Sequence, residues 1–244
     1  MSMVSVVFRR ELASFFATPV AYVFVTIFLV MSGVFAFFIG NLYERGQADL
    51  LPFFNFHPWL YLFLVPAIAM RSWSEERKSG TIELLMTLPI STFEALLGKF
   101  LAAWSVLGLS LILTFPMWLT VNYLGDPDNG IIIAAYLGSW LMAGAFLAIG
   151  MCMSALTKNQ VIAFILAVVV CFLFVVSGSG IVLDAFKGWA PSLVIDTIAS
   201  FSFLTHFESL AKGVIALNDV GYFLILMGTW LYASLLIIEQ KKAD

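Results

Sequence analysis

The residues able to do chemistry in this 244-residue chain are few and unevenly placed. Residues 71–90 read RSWSEERKSGTIELLMTLPI and hold six charges, Arg71, Glu75, Glu76, Arg77, Lys78 and Glu83, although only 11% of the chain is charged. Read as structure, Ser74 can cap a helix or turn that carries Glu75, Glu76, Arg77 and Lys78. Gly80 permits a break or a close backbone approach. Thr81 can cap a second short helix, with Glu83 in its first turn where a negative charge suits the helix dipole. Ile82, Leu84, Leu85 and Leu88 offer apolar surface, Pro89 ends the helix, and Ser91 or Thr92 opens the next. Charges and leucines displayed together suit docking into a groove of a soluble partner. The alternative is a solvated loop whose charges only set topology.

Other chemistry is absent where it would be needed. His57 and His206 are far apart and neither has a second donor at metal-ligand spacing. Cys152 and Cys171 each sit inside an apolar run and read as small buried hydrophobes. There is no paired aspartate, Ser–His pair or HExxH for an intramembrane protease. The string LLGKF at 96–100 lacks the upstream glycine and the Ser/Thr of a phosphate loop, so no ATP or magnesium site is expected in this chain. The cores of the long apolar stretches hold no ionisable group, which argues against ion-coupled carriers. Energy for uphill movement would come from another polypeptide.

The elements that must position the charged patch are apolar helices. Hydrophobic residues make up 62% of the chain and 24 residues are Phe, a composition that reads as an integral membrane protein. Six spans are expected, at 20–39, 50–70, 97–121, 131–156, 161–183 and 220–238, giving an all-α membrane fold in a single domain, 1–244. Pro52, Pro58 and Pro66 predict a kinked second span starting nearer His57. No fixed-period repeat, linker or low-complexity tract suggests a second domain. With both termini cytoplasmic, Arg9, Arg10, Arg71, Arg77, Lys78, Lys99, Lys158, Lys241 and Lys242 fall inside, against Arg45, Lys187 and Lys212 outside. The net charge of −3 leaves no basic footprint for nucleic acid.

Residues 1–18 form an amphipathic interfacial helix with Val4, Val7, Phe8, Leu12, Phe15 and Phe16 on one face and Arg9 and Arg10 off it. Pro19 marks the bend into the first span. Arg9, Arg10 and Glu11 interrupt this stretch, and no small-residue cleavage site precedes the first span, so a cleavable signal peptide is not expected. Glu11 falls within the apolar stripe, either snorkelling to water or pairing with a cation such as Arg71, Arg77 or Lys99. Residues 184–219 are half apolar, with helical character from 194 to 215. They read as helices at the outer face or as a plain external loop.

EERKSGTIELLMTLPIS followed by LLGKF resembles the pattern of ABC-2 type transporter permeases. More narrowly, PFFNFHPWLYLFLVPAIAMRSWSEERKSGTIELL and NQVIAFILAVVVCFLF are similar to the GldF-like permeases named for gliding motility. The resemblance implies a multi-pass subunit in a bacterial inner membrane, with no catalysis of its own and no cofactor of its own. ATP and magnesium would be bound by a separate ABC ATP-binding subunit. Carried over by position, the contacts to that subunit would be Glu75, Glu76, Arg77, Gly80, Thr81, Glu83, Leu84, Leu85 and Pro89 in the coupling region 71–96, with Arg9, Arg10 and Glu11 on the interfacial helix. It also implies a second permease copy or an auxiliary membrane subunit with an external domain, and a pathway between two subunits. The alternative is a mechanical or scaffolding subunit that moves no substrate. A passive channel is a third option, against which the coupling motif argues.

Overall fold

The computed structural model describes residues 3–81, 90–187 and 191–241, and among them every regular element is helical. Helix α1 (Met3–Ala17) is followed directly by α2 (Pro19–Val34), with Pro19 in the first turn, where its missing N–H costs nothing. A π-helical turn, Phe35–Ile39, extends α2 to Gly40. The second apolar stretch is a series of pieces rather than one kinked helix: α3 (Leu51–Asn55), α4 (His57–Ala69) and α5 (Arg71–Ser79). Its prolines explain the division, since Pro52 and Pro58 occupy first turns and Pro66 removes a hydrogen bond inside α4.

After the patch, α6 (Thr92–Ile112) starts at a capping box. The Ser91 hydroxyl accepts from Glu94 N at 3.2 Å, and Ser91 N donates to the Glu94 carboxylate at 3.0 Å. The chain bends at Leu113 and Thr114, ahead of Pro116, and continues as α7 (Phe115–Leu124). Asp128 caps α8 (Asn129–Leu156), and Asn159 caps α9 (Gln160–Val176). Helix α9 stops at Val176 rather than running to 183, because a Ser-Gly-Ser turn follows. Beyond it lie the short helices α10 (Gly180–Lys187), α11 (Ser192–Ser200) and α12 (Phe203–Ala211), so helices and not a plain loop occupy this segment. Helix α13 (Leu217–Gln240) closes the chain.

Helix α8 is the axis of the bundle. It packs against α13, α9, α4, α12, α6 and α5, and nearly every residue from Ala134 to Ala155 is buried. Small side chains make this possible: a Cβ on Gly150 would lie 2.5 Å from Ala69 Cβ, so α4 and α8 meet where neither has bulk. Among the described residues four segments are long and apolar enough to cross a membrane: Pro19–Ile39, Thr92–Leu124, Asn129–Leu156 and Leu217–Gln240. The other two expected spans are shorter as helices, α4 with 13 residues and α9 with 17.

Candidate functional site

The charged residues converge at one end of the bundle, where α1, α5 and the first turns of α6 meet. Helix α1 presents the expected stripe to α6, with Val7 buried, Leu12, Phe15 and Phe16 against the core, and Arg9 and Arg10 exposed. Gly98 lets the two helices touch, because a Cβ there would lie 2.7 Å from Val7 Cβ and 3.1 Å from the Val4 carbonyl oxygen. The next residue, Lys99, is 6% exposed and is the hub of the junction. Its ammonium lies 2.7 Å from Glu76 Oε1 of α5 and 3.2 Å from Glu11 Oε1 of α1, and sits 5.3 Å from the centre of the buried Trp73 ring.

Glu11 thus takes the paired option, with Arg10 also 2.6 Å away. Burial pushes its carboxyl upward, but Lys99 and Arg10 outweigh that and hold it below the ordinary carboxylate value. One lysine joins three helices distant in sequence.

Helix α5 is anchored to α8 by a cap supplied from outside its own chain segment. Ser74 lies within the first turn, so it is not the cap. The cap is Ser154 of α8, whose hydroxyl accepts from Trp73 N at 3.1 Å and Ser74 N at 3.0 Å while donating to the Met70 carbonyl at 2.7 Å. The donors and acceptor exposed where α4 gives way to α5 are thereby satisfied. Arg77 Nη1 donates to Ala155 O at 2.6 Å, and Lys241 Nζ donates to Leu156 O, so two cations meet the carbonyl end of α8.

Of the patch residues, Glu75 is exposed and pairs with Arg71 at 2.9 Å, which holds its carboxyl below the usual range despite some burial. Glu76 and Arg77 are engaged within the chain as described. Gly80 ends α5 in the left-handed conformation, φ 74° and ψ 2°. Open space surrounds the position of a Cβ there, so its glycine answers to backbone angle and not to crowding. The Thr81 hydroxyl lies 2.9 Å from that of Ser79. Glu83, Leu84, Leu85 and Pro89 lie outside the described residues. Reading the sequence missed the pairing of Lys99 with Glu76, although a signal was there. Lys99 falls on the same helical face as the buried Leu96 and Ala103, and a lysine on a buried face needs a counter-ion.

A family model described as "ABC-2 family transporter protein" matches residues 59–238, well over half of the chain. The chain belongs to the ABC-2 transporter family. The matched segment includes Glu76, Lys99 and Ser154 and begins after α1. Inner membrane transport permease YhhJ of Escherichia coli (strain K12) is 30% identical over 145 residues, covering 57% of this chain and 36% of the relative. The protein of the same name from Shigella flexneri matches to the same extent. The chain therefore spans about a third of the length of these relatives. Family membership and the apolar helices make it a multi-pass membrane protein.

Proposed function

We propose that this ABC-2 family member is the non-catalytic membrane subunit of an ATP-driven exporter in a bacterial inner membrane, of the GldF-like kind. A separate ABC subunit binds ATP and magnesium. The chain crosses the membrane six times with both termini cytoplasmic, α4 and α9 completing the crossings. The observation that carries this reading is the junction at Lys99, which ties the interfacial helix α1 and the start of the patch to one membrane helix. In this reading a push on residues 80–89 by the ATP-binding subunit passes through α5 and Lys99 to α1 and α6, and through Ser154 to α8. These helices then rock as rigid bodies. The apolar, tightly filled surroundings of α8 favour a pathway between two subunits over one within a chain.

The test is co-purification with a candidate ABC ATP-binding subunit, followed by ATPase assay in lipid. Gly80→Leu and Glu83→Arg are expected to abolish co-elution or substrate-stimulated hydrolysis while insertion in the membrane is kept. Normal binding and coupling in both variants would reduce the patch to a topology-setting loop. A mechanical subunit that moves no substrate would show the same coupling without transport into sealed vesicles.

A further inference from the structure

At the charged end, a cleft of about 490 Å³ opens between α1, the start of α2 and the passage from α4 to α5. Its walls carry three cations, Arg10, Arg71 and Lys99, and three carboxylates, Glu11, Glu75 and Glu76, so their formal charges cancel. Val20 and Ile68 line the cleft and also a neighbouring groove of about 240 Å³, which continues between α2 and α4 past Val23 and Leu64. A charge-balanced chamber therefore opens directly into an apolar furrow, and the furrow is open on its outer side, with Val23 54% exposed. One of the lining carboxylates has an oxygen without a partner. Glu76 gives Oε1 to Lys99, but its Oε2 is buried with no hydrogen-bond partner among the described residues. A buried carboxylate oxygen left so is costly and calls for a donor.

We propose that cleft and groove together form a binding site for a phospholipid whose head group carries a primary ammonium, of the phosphatidylethanolamine type. The phosphate lies against the guanidinium groups of Arg10 and Arg71, the ammonium donates to the carboxylate of Glu76, and one acyl chain follows the furrow between α2 and α4. The head group is chosen by charge and by hydrogen. An anionic lipid brings surplus negative charge to a wall that is already balanced, and a choline head group has no N–H to give Glu76. The furrow supplies apolar area for the chain. The site rests on the membrane embedding alone and is independent of the exporter reading, so failure of transport or of ATPase coupling leaves it untouched.

The experiment is native mass spectrometry of the delipidated full chain in detergent. It is titrated with phosphatidylethanolamine, phosphatidylcholine and phosphatidylglycerol of identical acyl chains, and with soluble glycerophosphoethanolamine. Phosphatidylethanolamine is expected to bind about tenfold more tightly than the other two lipids, the worth of one charge-assisted hydrogen bond. The soluble head group should bind far more weakly, which separates a lipid site from a site for the free head group. Glu76→Gln should bring the ratio of phosphatidylethanolamine to phosphatidylcholine close to one. Val23→Trp, at an exposed position away from the charges, should weaken both lipids alike by blocking the furrow. Equal binding of the three lipids, a preference that survives Glu76→Gln, or unchanged binding in Val23→Trp would each overturn the proposal. If Glu76→Gln does not fold, the wild-type ratio and Val23→Trp still decide it.

Discussion

Lys99 concentrates more consequence than any other side chain described. It is 6% exposed and faces two carboxylates that are each 18% exposed, so it cannot be removed without stranding negative charge away from water. Lys99→Met should destabilise the protein by about 3 kcal/mol, toward the lower end expected for breaking a buried pair because the carboxylates retain some solvent. The triple variant Lys99→Met, Glu11→Gln, Glu76→Gln should recover much of that loss, since no buried charge is then left unpaired and Arg10, which loses Glu11, is exposed to water. Thermal unfolding in detergent measures both, and a triple variant no more stable than the single one would show that packing and not charge dominates. Glu11 adds a pH dependence of definite sign. Its carboxyl titrates below its ordinary value of 4.5 in the folded protein, so its stabilising contribution is whole above pH 4.5 and drains as pH falls through the folded value. The melting-temperature gap between wild type and Glu11→Gln, present at pH 7, should therefore close as the pH drops below 4.5. A gap that stays constant across that range would place the effect in shape and not in charge.

At the scale of elements, two contacts decide whether the charged end moves as one body. The first is the seat of α1 on α6, which exists because Gly98 has no side chain. A leucine there meets Val7 and the Val4 backbone, and the backbone cannot yield as a flexible side chain could. Gly98→Leu should cost about 1–3 kcal/mol by overpacking, and should lift α1 so that its bonds become sensitive to protease. An α1 that stays protected in this variant would mean the junction holds without the close contact. The second contact is the cap that Ser154 provides for α5. Removing its hydroxyl leaves the N–H groups of Trp73 and Ser74 short of that acceptor, while the Met70 carbonyl keeps the Ser74 hydroxyl, so Ser154→Ala should cost about 1–3 kcal/mol. Amide exchange should rise first at Trp73 and Ser74, and an unchanged exchange pattern there would argue that α5 is held by Arg77 and the Glu76–Lys99 pair without the cap.

At the scale of the whole molecule, the far end is fastened separately from the charged end. His206 of α12 has Nδ1 2.6 Å from Asp219 Oδ1 at the start of α13 and Nε2 2.9 Å from the Ser200 carbonyl, with its ring stacked on Tyr222. Asp219→Ala should raise amide exchange across α12 while leaving α5 as it was, because no described contact links this clasp to Lys99. Exchange rising equally at both ends would show that the bundle responds as a single unit. Phe203, Phe207 and Leu210 hold α12 against the core, so the change should be local loosening and not unfolding.

Much of this molecule was legible from residues 244 long read in order. The apolar runs, the stripe on α1, the start of α6 at Ser91, the helix start at His57 and the glycine at the end of α5 are all signals that act within a few residues of themselves. Helical periodicity, capping and proline geometry are local physics, and a linear chain displays them. The division of the second apolar stretch was only half visible, because prolines mark where hydrogen bonds are lost but not what replaces them. At the α4–α5 junction the partner is Ser154, 81 residues away from Trp73, and nothing near either residue announces the other. The same holds for Lys99. Its need for a counter-ion could be inferred from a charge on a buried face, but the choice of Glu76 together with Glu11 depended on how α1, α5 and α6 cross. Local sequence determined which helices form and where they end; the packing of those helices around α8 decided which charges meet, because an ion pair is set by distance in space and not by spacing along the chain.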